Sequence, residues 1–344
     1  MNRTALLFES PLSVRPAAEA LADNRPGELL VQTTLSAISS GTELLVFKGE
    51  IPAGEAVDAS IAALSGDFAY PLKYGYALVG RVIAAGSDVD PAWIGREVFA
   101  FHPHESHFWA RPDELLVLPP DIDPLEAVFL ANTESALNFL MDARPLVGET
   151  VVVFGQGVVG LLTTALLNLM PLGRLVTLDR HPLRRSKSRE MGAHAALDPE
   201  SVPFAERTSA FWASDSEDHR ADLVFELSGN PLALNHAIAC CGYGGRILIG
   251  SWYGSRRADL DLSLHFHRSR IRLVSSQVST VAPDLCARWS KSRRLQTAWE
   301  MIRRIRPASL VTHRFPIEQA QQAFELLMDR PAETLQVLLT YGDT

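Results

Sequence analysis

The sequence predicts an α/β protein in which a doubly wound parallel sheet is joined to a second domain built as a β-barrel. Three observations carry this prediction. Val151-Val152-Val153-Phe154 is an apolar, mostly β-branched run that opens into Gly155-Gln156-Gly157-Val158-Val159-Gly160, and Leu161 to Met170 continues with helix-forming apolar residues. A second apolar run, Leu175 to Leu178, ends in Asp179. Ahead of both, the chain breaks into short strand-like runs separated by glycine and proline turns.

Each glycine of the strand–turn–helix unit has a physical task. Gly155 permits the tight turn, Gly157 lets backbone N–H groups approach a pyrophosphate, and Gly160 lets the new helix lie against the strand. The helix start at Val158 and Val159 adds free N–H groups and the positive end of the helix dipole. Asp179 falls about 20 residues beyond the glycines, where an acid accepts hydrogen bonds from the adenosine ribose of NAD. This is the pattern of a Rossmann dinucleotide-binding unit. Arg180, with Arg184 and Arg185 on the next helix, would also suit a 2′-phosphate, so the residues favour NAD and leave NADP open.

Beyond Asp179, Pro182 begins a helix and Gly192 ends it. The polar stretch Pro199 to Arg220 reads as a surface excursion. Asp222 to Asn230 is a fourth strand with its exit turn and Gly244 to Gly250 a fifth. Ligands bind beyond the carboxyl ends of parallel strands, so Ser228, Gly229, Gly250 and Ser251 are expected to line a nicotinamide pocket, with Trp252 and Tyr253 near the substrate. Arg270 to Gln277 reads as a sixth, edge strand. Ala287 to Arg304 and Ile317 to Met328 have helical spacing, and Gln336 to Thr340 is a terminal strand that returns to the first domain. The expected division is 1–125 with 285–344 for the barrel domain, and 126–284 for the dinucleotide-binding domain.

In the first domain, Thr4 to Phe8, Pro11 to Arg15 and Glu28 to Leu35 read as strands. Ala37-Ile38-Ser39-Ser40-Gly41-Thr42-Glu43 is a polar patch opening a helix through Phe47, and N-capping alone would account for Ser39 or Ser40. Residues 50–70 read as a loop with one helical turn. Tyr70 to Gly86 is a glycine-punctuated strand, and Gly95 to Phe101 adds another. Asp121 to Asp142 reads as a connecting helix carrying Asn132, Thr133 and Glu134, with Glu134 either a site acid or a solvated helix-face residue.

Composition narrows the function classes. Hydrophobic content of 47% with 21% charged residues describes an ordinary soluble protein, and a net charge of −8 without a long basic run argues against nucleic acid. Three cysteines, Cys240, Cys241 and Cys286, make neither a disulfide framework nor a Cys-x-x-Cys clip. No signal-peptide pattern and no apolar run of transmembrane length is present, so a cytoplasmic protein with no membrane partner is expected.

The order and spacing of these segments resemble the medium-chain dehydrogenase/reductase superfamily, the zinc alcohol dehydrogenases and their zinc-free relatives. Ile38 to Glu43 resembles the family's Gly-Ile-Cys-x-Thr-Asp segment, and Gly75 to Val82 its Gly-His-Glu-x-x-Gly-x-Val segment. Gly148-Glu149-Thr150 before the glycine-rich loop is similar to the family's entry into its cofactor domain. The Ser-Gly-Thr-Glu and Gly-Tyr-x-x-x-Gly-Arg-Val variants look most like the branch containing bacteriochlorophyllide dehydrogenase. The resemblance implies a GroES-like β-barrel catalytic domain, a Rossmann domain, a small-molecule substrate, and a homodimer paired through the Rossmann edge strand.

The departures from the family are informative. The positions aligned with the catalytic zinc ligands are Ser40, Tyr76 and Asn132, with Ala77 where the family often has Glu, and the four-cysteine structural lobe is missing. A hydroxyl, a phenol and an amide do not make a tight Zn²⁺ site, so a zinc-free member is implied, with no metal held. Thr42 aligns with the family's proton-relay hydroxyl and Glu43 with its aspartate behind the metal. Tyr76 is then either a proton donor to the substrate or a ring filling the space left by zinc. In Phe101 to His107, three histidines and Glu105 permit a metal site, a polar loop, or a proton-transfer role for His102.

Three functions stay open at this stage. One is an NAD(P)-dependent dehydrogenase or ketoreductase acting on a carbonyl or secondary alcohol. The second is a quinone or enoyl reductase. The third is a dinucleotide-binding redox sensor without turnover.

Overall fold

In a computed structural model of the protein, residues 1–52, 54–58, 61–200 and 220–342 are described. They fall into two compact units, Met1–Ala131 with Arg306–Thr344, and Asn132–Ile305. The surface excursion expected between Pro199 and Arg220 lies, for 201–219, outside the described residues. No helix among the described residues is long and apolar enough to cross a membrane.

The second unit is built on six parallel strands in the order Ala195–Leu197, Arg174–Leu178, Thr150–Phe154, Ala221–Glu226, Cys241–Ile249 and Arg272–Ser275. The strand that precedes the glycine turn therefore lies inside the sheet, and the chain winds outward from it in both directions, as in a Rossmann sheet. Both faces are covered, which explains why the strands read as continuous apolar runs rather than as alternating ones. Val152, Val176, Val224 and Ile247 pack into one layer, and Val151, Val153, Leu223, Phe225 and Leu248 into the other.

The helix Lys291–Ile305 belongs to this second unit, whereas the sequence reading assigned it to the first. Its buried Leu295, Ala298, Trp299 and Ile302 form an i, i+3, i+4, i+7 stripe. Arg294, wholly buried, decides its attachment. Its guanidinium donates to Glu134 Oε1 at 3.0 and 2.9 Å, to Asn138 Oδ1 at 2.5 Å, and to the carbonyls of Thr280 and Val278 at 3.1 and 2.5 Å. Glu134 is thus the buried counter-ion of Arg294 and not a solvated helix-face residue. Two helices, Pro124–Ala127 and Leu130–Ala143, replace the single connecting helix.

The first unit is organised by the strand Leu29–Ile38. It pairs with Leu78–Ala85 along one side, and along the other with His107–Ala110 over Leu29 to Gln32 and Gln336–Thr340 over Leu35 to Ile38. Glu97–Ala100 and Leu115–Val117 extend the sheet beyond Leu78–Ala85, and Val311–Pro316 extends it beyond Gln336–Thr340. The inward side chains of Leu29, Val31, Leu78, Val82, Val98 and Phe108 fill this barrel-like sheet. A separate hairpin, Asn2–Ser10 with Ser13–Ala20, closes over helices Ser40–Lys48 and Ala320–Asp329.

Phe324 is the hub of that second core. It lies edge-on to Phe8 at 5.3 Å and stacked on Phe47 at 5.2 Å. Phe324→Ala should lower the unfolding free energy by about 3–5 kcal/mol, read as a fall in the urea midpoint at constant m. A loss below about 1 kcal/mol would show that the three rings do not carry this core.

Candidate functional site

In the first unit the polar patch at the start of helix Ser40–Lys48 becomes a hydrogen-bond network. Ser39 occupies the N-cap position, yet its side chain makes no cap bond. The Ser39 hydroxyl instead receives the Tyr76 phenol at 2.5 Å, and the phenol also bonds the Thr42 side chain. Glu43 reaches back so that its Oε1 accepts the Ser39 N–H at 2.8 Å. Its Oε2 meets His104 Nε2 at 2.9 Å. His104 Nδ1 lies 2.7 Å from Ser36 Oγ, which is 2.7 Å from the Tyr341 hydroxyl. Glu43, His104 and Ser36 are each 0% exposed.

Gly75 makes room for this arrangement. Its φ is +121°, in the left-handed region, and a Cβ there would sit 2.8 Å from the His104 ring. The expected site residues Tyr76, Thr42 and Glu43 are therefore brought together. Ser36, Ser39, His104 and Tyr341 join them although sequence reading did not place them in a site. The only prior hint for His104 is its place among three histidines.

His102 sits elsewhere. Its ring stacks on Phe108 at 3.9 Å, and Nδ1–H donates to the Pro103 carbonyl at 3.2 Å. Burial lowers its pKa to about 3, against a weaker upward pull from Pro103. Beside it, Glu105 and Glu19 share Arg3 and Lys73, with contacts of 2.6–2.9 Å. His107 bonds Ser106 Oγ at 3.1 Å. The three histidines thus serve different partners, and among the described residues no three His, Cys, Asp or Glu side chains converge as a metal site. At the positions aligned with zinc ligands, Ser40 and Tyr76 offer hydroxyls and Asn132 an amide. Glu43 already uses both oxygens.

The second unit carries the phosphate-type turn. Gly155 has φ +87°, and a Cβ would lie 2.5 Å from Ser228 Cα and 2.6 Å from the Leu227 carbonyl. A Cβ on Gly160 would lie 2.0 Å from the Gly155 carbonyl, so the helix Val158–Asn168 can approach the turn only with glycine there. Gly157 caps that helix with φ −67°, and a Cβ on it meets nothing within 4 Å. The N–H groups of the first turn have no acceptor within the helix and face this space with Val158 and Val159.

Asp179 ends the second strand. Its carboxylate accepts Gln156 N–H and His181 N–H, both at 2.8 Å, and lies 3.9 Å from Arg184. Arg180 is exposed beside it. At the ends of the fourth and fifth strands, Ser251 Oγ accepts Gly229 N–H at 2.9 Å, and Ser228 N–H donates to Glu226 at 2.8 Å. Ser228 Oγ and the Tyr253 hydroxyl also donate to Glu226. Gly250 is required by packing, since a Cβ would meet Leu227 at 2.5 Å and Phe139 at 2.6 Å. Trp252 is exposed.

The histidine stacked on Phe108 makes a testable prediction. Its folded pKa of about 3 lies below the unfolded value of about 6.5, so the unfolded chain takes up the proton first as pH falls. The neutral ring's contribution is complete above about pH 6.5 and is lost progressively towards about pH 3. His102→Gln should flatten part of the fall in stability across that window. Parallel falls in parent and variant would rule the ring out as a source.

Comparisons with known proteins agree with this architecture. Residues 158–294 match the zinc-binding dehydrogenase family. L-threonine 3-dehydrogenase of Bacillus subtilis (strain 168) is 26% identical over 215 residues, covering 61% of this chain, and the matched segment spans 56% of that relative's length. An alcohol dehydrogenase of E. coli CFT073 solved with NADH superposes with a TM-score of 0.80 at 18% identity, covering 98% of this chain and 99% of the other. A Sinorhizobium meliloti 1021 protein solved with NADP gives a TM-score of 0.77 at 18% identity over 99% of each chain. The glycine turn and the six-stranded parallel sheet are thus those of a fold shared with these dehydrogenases, and residues 158–294 carry the match to the zinc-binding dehydrogenase family.

Proposed function

We propose that the protein is an NAD(P)-dependent oxidoreductase, favouring NAD, that moves a hydride between nicotinamide and a carbonyl or secondary-alcohol carbon of a small molecule without a catalytic zinc. The observation that carries this reading is the turn from Gly155 to Gly160, where the space over Gly157 is open and helix N–H groups face it. When bound, the nicotinamide supplies or accepts the hydride. Gly157 and the first helical turn would hold the pyrophosphate, Asp179 the adenosine ribose, and Ser228, Gly229 and Ser251 the far end. Asp179 opposes a 2′-phosphate by its charge, which favours NAD over NADP despite Arg180.

Zinc does not fit the donors present. Ser40, Tyr76 and Asn132 bring no thiolate, imidazole or carboxylate, and the oxygens of Glu43 are engaged by Ser39 N–H and His104. The proton falls to Tyr76. Burial, and after it the charge of Glu43, push the phenol pKa up to about 12. Tyr76 therefore keeps its proton at neutral pH and is a donor to an oxygen that becomes an alcohol. Ser39 and Thr42 fix the direction of its hydroxyl. His102, neutral and stacked away from this network, is the weaker candidate. A cytoplasmic homodimer joined along the edge strand Arg272–Ser275 completes the proposal.

Two experiments test it. Gly157→Ala adds a methyl that touches nothing in the free protein and keeps an ordinary φ. It should leave the melting temperature unchanged and weaken NAD and NADH by at least about tenfold in equilibrium titration. Unchanged affinity would remove the cofactor from this turn.

Tyr76→Phe deletes only the hydroxyl. Turnover of a verified alcohol or ketone should fall by about 10²–10⁴-fold with cofactor affinity unchanged, while the parent survives dialysis against a chelator. Near-full turnover in the variant would make Tyr76 a packing residue, and loss of parental turnover on chelation would defeat the zinc-free mechanism.

A further inference from the structure

Glu226 closes the fourth parallel strand and is 0% exposed. Its register partners are Phe154, the last residue of the strand before the glycine turn, and Ile249, the last of the fifth strand. That is the point in the sheet where the winding reverses, with Arg174–Leu178 reached on one side of Thr150–Phe154 and Ala221–Glu226 on the other. In sheets of this kind the ligand lies beyond the carboxyl ends at the reversal.

Among the described residues, the hydrogen-bond donors to this carboxylate are neutral. Oε1 accepts the Ser228 N–H and the Ser228 hydroxyl, and Oε2 accepts the Tyr253 hydroxyl. Arg256, the cation on the adjoining segment, donates to the Tyr253 carbonyl at 3.2 Å. Contrast Glu134 in the same unit, whose charge meets the Arg294 guanidinium. A buried carboxylate held by neutral dipoles keeps its field, and the low-dielectric surroundings carry that field further than water would.

We propose that Glu226 sets the redox preference of the dinucleotide site, its carboxylate favouring the cationic oxidised nicotinamide over the neutral reduced one. The inference rests on the reading of this unit as a nicotinamide site. The two forms of the cofactor share every contact except the ring's charge, so a fixed negative charge at the reversal point acts on their difference alone. Glu226 is on this account a positioning charge that touches neither the reacting carbon nor the hydride.

The test measures dissociation constants of NAD⁺ and NADH by titration calorimetry in parent, Glu226→Gln and Tyr253→Phe. Glu226→Gln keeps the shape and removes the charge, and should move the affinity ratio towards NADH by about tenfold. Tyr253→Phe keeps the charge and removes one donor that quenches it, and should move the ratio towards NAD⁺. A Glu226→Gln ratio within about twofold of the parent overturns the proposal. If Glu226→Gln does not fold, Tyr253→Phe decides, and an unchanged ratio or one shifted towards NADH overturns it. Failure of the parent to bind either form would instead remove the nicotinamide reading itself.

Discussion

The Gln156 N–H held by the Asp179 carboxylate at 2.8 Å fixes the turn on which the second unit depends. The same carboxylate takes His181 N–H, so one acid joins the exit of the first strand, the exit of the second and the approach to the next helix. Gln156 completes the lock from its side chain, donating to the Gly155 carbonyl at 3.0 Å and accepting from Thr164 at 3.0 Å. A carboxylate has about four lone-pair sites, so these two bonds leave Asp179 capacity for ribose hydroxyls. The structural bonds and the proposed ribose contacts would draw on different lone pairs of the same group.

Two buried carboxylates, one in each unit, are satisfied by different means. Glu43 has a backbone N–H on one oxygen and an imidazole on the other, and the imidazole is backed by Ser36 and Tyr341. Glu226 has two hydroxyls and a backbone N–H. Leaving either acid without donors would cost several kcal/mol, so both networks are necessary before any function is considered. They differ in the kind of donor, an imidazole beside Glu43 and hydroxyls around Glu226.

Local chemistry was legible in the sequence and distant pairing was not. The glycine turn, Asp179, the sixth strand and the terminal strand are each written in a few consecutive residues, through steric allowance or apolar runs. Glu134 looked like an ordinary helix-face acid because its partner, Arg294, lies on another helix far along the chain. His104 was indistinguishable from His102 and His107, since alternation along an extended segment gives a side and not a partner. Only the tertiary position of Gly75, whose missing Cβ admits the ring, separates them. The boundary after 284 was misplaced for the same reason: an amphipathic stripe announces a helix and says nothing of which core receives it.

The segment Thr42-Glu43 carries one methylene more than the Thr-Asp it resembles, and that length matters in this fold. Withdrawing the carboxylate by one carbon–carbon bond, about 1.5 Å, would stretch the 2.9 Å contact to His104 beyond hydrogen-bond range. His104 would then be a buried ring with only Ser36 to satisfy it. The glutamate, the glycine at 75 and the histidine at 104 therefore depend on one another, as a long acid, a space and a ring. With the acid engaged on the ring, the Tyr76 phenol turns to Ser39 and Thr42.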